Sequence, residues 1–224
     1  MKRDIASYST RLQNTAAAGK YARRFERGAR ARIDRREQRA VRRIFSNLPD
    51  CRSVLDMPCG AGRFLPTLAE FCSEVRGADI AAEILEFARK RAETTGGRAQ
   101  VFHGDASRLE LADGAVDAIF CNRLLHHILK AEERAKILKE FHRVTRRYLV
   151  VSFFDYRRFG TVRRFFKRLK GNKPTYGGQP TLEQFREELV RAGFRERELV
   201  PTGPFWVSQK YFVLEKTQPG YGTV

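Results

Sequence analysis

The sequence predicts a doubly wound α/β fold, in which helices cover both faces of a mostly parallel seven-stranded sheet. Short apolar segments alternate with segments of helical apolar spacing between residues 53 and 154, which is the order expected of β-α-β units. The segment 148–154 is apolar at nearly every position, as in a strand that is buried on both faces. A helical extension precedes this sheet in the chain.

The predicted elements follow one another in a regular order. Residues 31–48 have helical apolar spacing opposite an arginine-rich face, and Pro49 ends this helix. Beyond residue 155 we predict a helix over 181–191, capped by Thr181. The remaining pattern predicts strands over 53–56, 74–79, 99–103, 116–121, 148–154, 196–200 and 206–214, and helices over 63–71, 82–93 and 130–144.

Composition limits the possible classes of protein. The chain has 224 residues, of which 42% are apolar and 31% charged, as in a globular protein with a substantial core. No apolar segment approaches the roughly 20 residues of a membrane span, and residues 1–20 lack the apolar region of a secretory signal. The four cysteines show no metal-ligand spacing. We therefore expect a cytoplasmic protein with reduced thiols and no metal site.

Positive charge is concentrated in the two flanks of the chain. The formal net charge is +18, and residues 1–50 hold 14 basic against 5 acidic side chains. Residues 151–224 hold 14 against 7, whereas 51–150 are nearly neutral. This distribution favours an anionic partner. The alternative is a solvated surface that serves only solubility.

Three consecutive predicted strands end in an aspartate, at Asp56, Asp79 and Asp105. Ligands of open α/β sheets bind beyond the carboxyl ends of the strands, where these acids would meet. Gly60 and Gly62 would let the backbone approach such a ligand, and Asp79 follows at the distance of a ribose-binding acid. One such aspartate is often only a turn former. Three in series predict a cationic, hydroxyl-rich ligand with an amine edge.

These residues resemble the class I S-adenosylmethionine-dependent methyltransferases of the small-molecule, methyltransferase-11-like type. Val54–Phe64 is similar to their motif I, and Asp79 stands at the position of their ribose-binding acid. The resemblance runs over roughly residues 50–216 and extends to Phe102–Ala106, Val116–His127, Arg191–Phe194 and Tyr211–Lys216. In one departure from the family pattern, Pro58 replaces the first glycine of motif I, so that the turn lacks one backbone donor.

The resemblance implies a Rossmann-like methyltransferase fold that binds S-adenosyl-L-methionine. It implies that Asp56 attracts the cationic end of the cofactor and that Asp79 accepts both ribose hydroxyls. It also implies that Asp105 accepts from the adenine amino group. The implied cofactor-binding set comprises Asp56, Gly60, Gly62, Asp79, Ile80, Asp105, Ala106, Asn122 and Arg123.

A nicotinamide-dependent dehydrogenase is the main alternative for the glycine turn. A dinucleotide-binding turn needs a third glycine, whose place is taken here by Leu65. Asp56 would also lie beneath the pyrophosphate, where a negative charge is unfavourable. We therefore reject this alternative.

The sequence identifies no single catalytic base. The candidates are His126, His127, Tyr156 and Tyr176. A neutral histidine could take a proton from a hydroxyl acceptor, although positioning does most of the work in methyl transfer. We expect His127 to pack beneath the cofactor and His126 to be turned away from it.

The predicted function is methyl transfer to an oxygen or nitrogen of a small or lipid-linked, anionic acceptor. The alternatives are an RNA methyltransferase that binds phosphates through the basic flanks, and a non-catalytic S-adenosylmethionine-binding partner protein. The Asn/Asp-Pro-Pro-aromatic tetrad of base-modifying enzymes is missing, since Cys121–Leu124 stands in its place. The oligomeric state remains open.

We predict three parts of the chain. Residues 1–50 form a basic helical extension over the active site, 51–216 form the methyltransferase domain, and 217–224 form a tail. Within the domain, 156–180 form a basic lid or insert, and Val162–Lys170 has the pattern of a basic amphipathic helix. Its segment 157–173 could contact an anionic membrane, grip RNA or simply pack on the sheet.

Overall fold

The computed structural model describes residues 15–155, 179–205 and 207–217. Seven strands form one sheet in the order β3-β2-β1-β4-β5-β7-β6, in which β7 runs antiparallel to β5 and β6 and the other pairs are parallel. The strands are β1 Ser53–Asp56, β2 Glu74–Asp79, β3 Ala99–His103, β4 Val116–Cys121, β5 Thr145–Phe154, β6 Phe194–Pro201 and β7 Gln209–Lys216. The predicted doubly wound, mostly parallel sheet is thereby confirmed.

Six helices in the described part of the chain flank this sheet. They are α1 Thr15–Ala22, α2 Gly28–Ser46, α3 Leu65–Ala69, α4 Ala82–Glu93, α5 Ala131–Val144 and α6 Leu182–Arg191. Two 3₁₀ turns, Arg23–Phe25 and Leu125–His127, complete the regular structure of these residues. Thr181 caps α6 as predicted, because its hydroxyl accepts from Gln184 N–H at 3.1 Å.

The core lies in two layers, because neighbouring strand residues point to opposite faces of the sheet. Val54 packs with α2, α3 and α4 on one face, and Leu55 packs with α5 and α6 on the other. The strands that meet both layers are therefore buried at almost every position, as the apolar runs predict.

Several predicted boundaries differ from the observed ones. The helix predicted over 63–71 is confined to Leu65–Ala69, since Pro66 suits only the first turn of a helix. β5 begins at Thr145 rather than Tyr148 and thus includes two arginines that form ion pairs, Arg146 with Asp117 and Arg147 with Asp50. β7 begins at Gln209 and extends to Lys216.

The N-terminal segment forms more structure than its sequence pattern indicates. α1 and the 3₁₀ turn Arg23–Phe25 precede α2, and α1 packs on α4 through Ala18, Ala22 and Ile84. This packing places Tyr21 near Gly60, whose added Cβ atom would lie 3.9 Å from the Tyr21 ring. The segment therefore lies over the loop that follows β1. The division into residues 1–50, 51–216 and 217–224 stays a prediction.

Candidate active site

A cavity of about 530 Å³ opens beyond the carboxyl ends of the parallel strands. The loops that follow β1, β2, β3 and β4 form one side of it, and residues between 21 and 30 form another. β1 lies between β2 and β4, so this is the point where the strand order reverses. Open α/β sheets bind their ligands at such a point, and the volume suits a cofactor with a small acceptor.

Eight of the predicted site residues line this cavity: Gly60, Ile80, Asp105, Ala106, Asn122, Arg123, His126 and His127. Asp56, Gly62 and Asp79 are not among its lining residues. Tyr156 and Tyr176 fall outside the described residues, as do Val162–Lys170 and most of the predicted lid. No group of His, Cys, Asp or Glu side chains within the described ranges is suited to hold a metal ion.

The loop after β1 is held by backbone hydrogen bonds that need no donor at Pro58. Cys59 N–H donates to the Ala78 carbonyl at 2.8 Å, and Gly62 N–H donates to the Cys59 carbonyl at 2.9 Å. Gly60 has a φ of +55° and an open side toward the cavity, which suits close approach of a ligand. The turn therefore has a glycine at the point where a ligand in the cavity would come closest to the backbone.

Gly62 allows the loop to pack closely against α4. Its φ is +72°, and an added Cβ atom would lie 2.9 Å from the Ala88 Cα atom of α4. α4 thus approaches the turn as closely as a residue without a side chain allows. The direct approach of Gly62 to a ligand, as the sequence suggested, stays a prediction.

Asp79 joins the loop after β1 to the end of β2. Its Oδ2 atom accepts from Gly60 N–H at 2.9 Å, and its Oδ1 atom accepts from Ala81 N–H at 3.0 Å. Burial raises the pKa of Asp79 to about 6, although these backbone donors act in the opposite direction. The carboxylate is fully buried, and its contact with a ribose stays a prediction.

Stability should fall as pH rises through the titration of Asp79. The folded protein holds this proton up to about pH 6, whereas the unfolded chain releases it near 3.8. The unfolded state therefore binds fewer protons between these values, and unfolding becomes easier by up to about 3 kcal/mol between pH 3 and pH 7. Urea unfolding across this range should show that the parent loses more stability than Asp79→Asn does, because the other carboxyls, Asp56 among them, titrate in both proteins. An identical pH slope in the two proteins would contradict the assignment.

Asp56 is a buried acid with no hydrogen-bond partner among the described residues. It is 1% exposed, and both of its carboxylate oxygens lack a donor. Burial raises the pKa of Asp56 well above its usual range, while the charge of Arg63 opposes that increase. Such an orphaned acid is costly unless a ligand supplies a partner. A cationic ligand beside Met57 and Pro58, which line the cavity just after it, would fit this requirement.

Asp105 and Ala106 line the cavity beyond β3, beside Ile80 of the loop after β2. The Oδ1 atom of Asp105 accepts from Ser107 N–H at 2.8 Å, which fixes the orientation of the carboxylate. A ring nitrogen of His103 lies 3.1 Å from the Ile80 carbonyl oxygen and joins the two loops. An acid and a small residue on this wall match the adenine-binding role implied for them, which stays a prediction.

The loop after β4 places Asn122 and Arg123 at the cavity. Arg123 has a φ of +63°, an uncommon backbone conformation for a residue with a long side chain. Its N–H donates to the Ser152 hydroxyl at 2.7 Å, and Asn122 Oδ1 accepts from Gln209 at 3.2 Å. β5 and β7 therefore hold this loop in a single arrangement.

Glu37 of α2 joins the N-terminal helix to both of these loops. It is fully buried, and its Oε1 atom accepts from the Arg123 guanidinium at 2.7 Å. Its Oε2 atom pairs with Arg63, which also donates to Asp34. The sequence analysis missed this residue. The spacing of the helix could have indicated its burial. Glu37 lies on the apolar face, four residues after Ile33 and four before Val41.

Both histidines line the cavity, which corrects the expectation that His126 turns away. The His126 ring lies 3.8 Å from the His127 ring and 4.3 Å from the Phe154 ring, measured between centroids. These residues form a short 3₁₀ turn instead of a longer helix, so the α-helical spacing does not apply to them. Either imidazole remains a candidate base.

The comparisons with known proteins agree with this geometry. Residues 54–147 match the family model described as "Methyltransferase domain". The chain is 30% identical over 100 residues to a malonyl-[acyl-carrier protein] O-methyltransferase of Pectobacterium atrosepticum, which covers 45% of this chain and 37% of that protein. A 37.1 kDa transposon protein of Streptomyces fradiae is 38% identical over 97 residues, covering 42% and 27% respectively. The chain thus spans about a third of these curated relatives.

Solved structures share the fold across nearly the whole chain. Magnesium protoporphyrin IX methyltransferase from Synechocystis, with bound SAH, has a TM-score of 0.78 at 19% identity, covering 96% of this chain and 100% of that one. A SAM-dependent methyltransferase from Methanosarcina mazei has a TM-score of 0.61 at 22% identity, covering 79% and 97%. These structures show that the chain shares the fold of S-adenosylmethionine-dependent methyltransferases, and residues 54–147 match the methyltransferase domain model.

Proposed function

We propose that this protein is an S-adenosylmethionine-dependent methyltransferase acting on an oxygen or nitrogen of a small or lipid-linked anionic acceptor. The observation that carries the proposal is one cavity at the strand-order reversal, with the family's motif I turn on one side. Asp105 and Ala106 line the same cavity. Among the similar proteins, the Synechocystis protein is a methyltransferase by its printed name, and that of Pectobacterium atrosepticum is an O-methyltransferase.

The residues present fit this cofactor. Gly60 leaves room for a ligand at the turn, and Asp105 offers a carboxylate to an amine edge. Asp56 is buried without a donor, as expected where a sulfonium or ammonium group supplies the missing partner. When bound, S-adenosylmethionine supplies a methyl carbon activated by a positively charged sulfur.

The chain's own residues would then position the acceptor and manage its proton. A bond from the acceptor oxygen or nitrogen to the methyl carbon forms as the carbon–sulfur bond breaks. An acceptor that carries a proton passes it to a base, for which His126 and His127 are the candidates at the cavity. A carboxylate acceptor needs no base, and proximity alone would then account for most of the acceleration.

Replacing Asp79 should weaken cofactor binding. Asp79→Ala removes the proposed acceptor of the ribose hydroxyls and releases Gly60 N–H from its partner. Charge-assisted hydrogen bonds contribute about 1.5–3 kcal/mol, so the affinity for S-adenosylhomocysteine should fall roughly tenfold to a hundredfold. Titration calorimetry measures this change. Asp113→Ala removes an exposed acid before β4 and should leave the affinity unchanged.

Methyl-labelled S-adenosylmethionine tests the reaction itself. Incubation with fractionated metabolites, lipids and RNA should transfer label to anionic small molecules or lipids. Transfer to RNA would favour the alternative RNA methyltransferase. Binding without any transfer would favour the non-catalytic alternative. Contact of 157–173 with an anionic membrane stays a prediction, and none of the helices in the described ranges is long and apolar enough to cross a membrane.

A further inference from the structure

The wall of the cavity carries an excess of positive charge. Five arginines line it, namely Arg24, Arg30, Arg63, Arg91 and Arg123, and Asp105 is the acid among the described lining residues. Arg63 and Arg123 are neutralised from behind by Asp34 and Glu37 of α2. Arg24, Arg30 and Arg91 form no ion pair with any residue of the described ranges, and the N-terminal segment supplies the first two.

Arg24 is held in place although no ion-pair partner for it lies among the described residues. Its guanidinium lies 4.1 Å from the Tyr21 ring centroid and 4.6 Å from that of Phe25. Its Nε atom is buried and has no hydrogen-bond partner in the part of the chain that the structure describes. Burial lowers the pKa of Arg24, and the charges of Arg123, Arg63 and Arg30 lower it further. An arginine nevertheless stays charged, so this partly buried cation favours binding of an anion.

The ring of Phe25 lies at the centre of this cationic group. The guanidinium carbon of Arg24 lies 4.6 Å from its centroid. Those of Arg63 and Arg123 lie 4.3 Å and 5.5 Å from the same centroid. Phe64 and Phe154 also line the cavity. The space beside the free arginines is therefore apolar and aromatic, with positive charge at its edge.

The cofactor alone does not neutralise this charge. S-adenosylmethionine combines a sulfonium and an ammonium with a single carboxylate, so its binding adds one net positive charge to the cavity. We propose that Arg24 and Arg30 together bind a carboxylate or phosphate group of the acceptor. This inference rests on the proposed function and gives the acceptor site a location on the N-terminal segment.

Small anions provide a direct test. Protein saturated with S-adenosylhomocysteine is titrated with benzoate, phenyl phosphate and neutral benzamide, which share an aromatic ring. We expect the parent protein to bind the two anions at least tenfold more tightly than benzamide, with an affinity that falls as salt rises. Arg24→Gln combined with Arg30→Gln should remove this preference. Arg35→Gln with Arg39→Gln removes the same charge from exposed positions of α2 outside the lining and should preserve it.

Two further measurements separate the possible sources of the anion. If Arg24 and Arg30 instead held the carboxylate of the cofactor, their double variant would bind S-adenosylhomocysteine at least tenfold more weakly. The same variant would then bind 5′-methylthioadenosine, which lacks that carboxylate, as the parent does. This result would overturn the proposal. So would equal binding of benzoate and benzamide by the parent, or an equal loss in the Arg35/Arg39 control.

A failure of the proposed function would look different. The parent protein would then not bind S-adenosylhomocysteine, whereas the anion titration of the ligand-free protein would still report on Arg24 and Arg30.

Discussion

Glu37→Gln should lower the free energy of unfolding by roughly 3–5 kcal/mol, because it removes a fully buried carboxylate from between two largely buried guanidiniums. Glu37 is fully buried, while the side chains of Arg63 and Arg123 are 14% and 25% exposed. Because the carboxylate itself is fully buried, water does not reach its place between the two arginines. The shape of the side chain is retained, so the loss would reflect charge rather than packing. Urea unfolding of parent and variant measures it.

Glu70→Gln is the matched control for this change. Glu70 pairs at 2.8 Å with Arg42, which lies on α2 as Glu37 does. Both side chains of this pair are nearly half exposed. Exposed ion pairs contribute about 0–1 kcal/mol, so this variant should be close to the parent in stability. Equal losses in the two variants would show that Glu37 acts as an ordinary surface charge. The Glu37 variant should also bind S-adenosylhomocysteine more weakly, since Arg123 would lose its fixed orientation.

Gly62→Ala should cost roughly 2–4 kcal/mol of stability. The new Cβ atom would lie 2.8 Å from Leu65 Cδ1 and 2.9 Å from the Ala88 Cα atom. A backbone atom of α4 cannot move aside as a flexible side chain can, so the helix would have to shift. The φ of +72° adds about 1 kcal/mol of strain for any residue with a side chain. Thermal or urea unfolding measures the sum.

Gly60→Ala should distinguish the role of Gly60 from the packing role of Gly62. Gly60 has a similar φ of +55°, but among the described residues its added Cβ atom would meet only Tyr21, at 3.9 Å. We therefore expect a loss of about 1 kcal/mol in stability and a clear loss of affinity for S-adenosylhomocysteine, since Gly60 lines the cavity. The reverse order, with Gly60→Ala the less stable protein, would contradict the packing role of Gly62.

The sequence pattern predicts the central sheet well because each strand there has a local signal. β1, β2, β3 and β4 have the predicted bounds, since a short apolar run ending at an acid, a glycine or a polar loop leaves little freedom. The boundaries of β5 and β7 are less accurate. There the strands continue into charged residues such as Arg146 and Lys216, which pair with neighbours that are distant in the sequence.

The N-terminal wall of the site could not be predicted in the same way. α1 is rich in alanine and has no clear apolar stripe, so only its packing on α4 identifies it as a helix. Glu37 lies among many charged residues of α2, and its burial depends on Arg123, which is 86 residues away. The pairing of charges across such distances is a property of the folded chain, which periodicity does not encode.

The two sides of the cavity come from separate stretches of the gene. Residues 54–147, which match the family, supply the strand-end loops with Gly60, Asp105 and Arg123. Residues 21–30 supply Arg24, Arg30 and the aromatic rings beside them, and they lie outside that match. Mutation can therefore alter the charge and shape offered to an acceptor while the inherited cofactor machinery stays intact. After a gene duplication, such a protein could acquire a new acceptor preference by drift in fewer than a dozen codons.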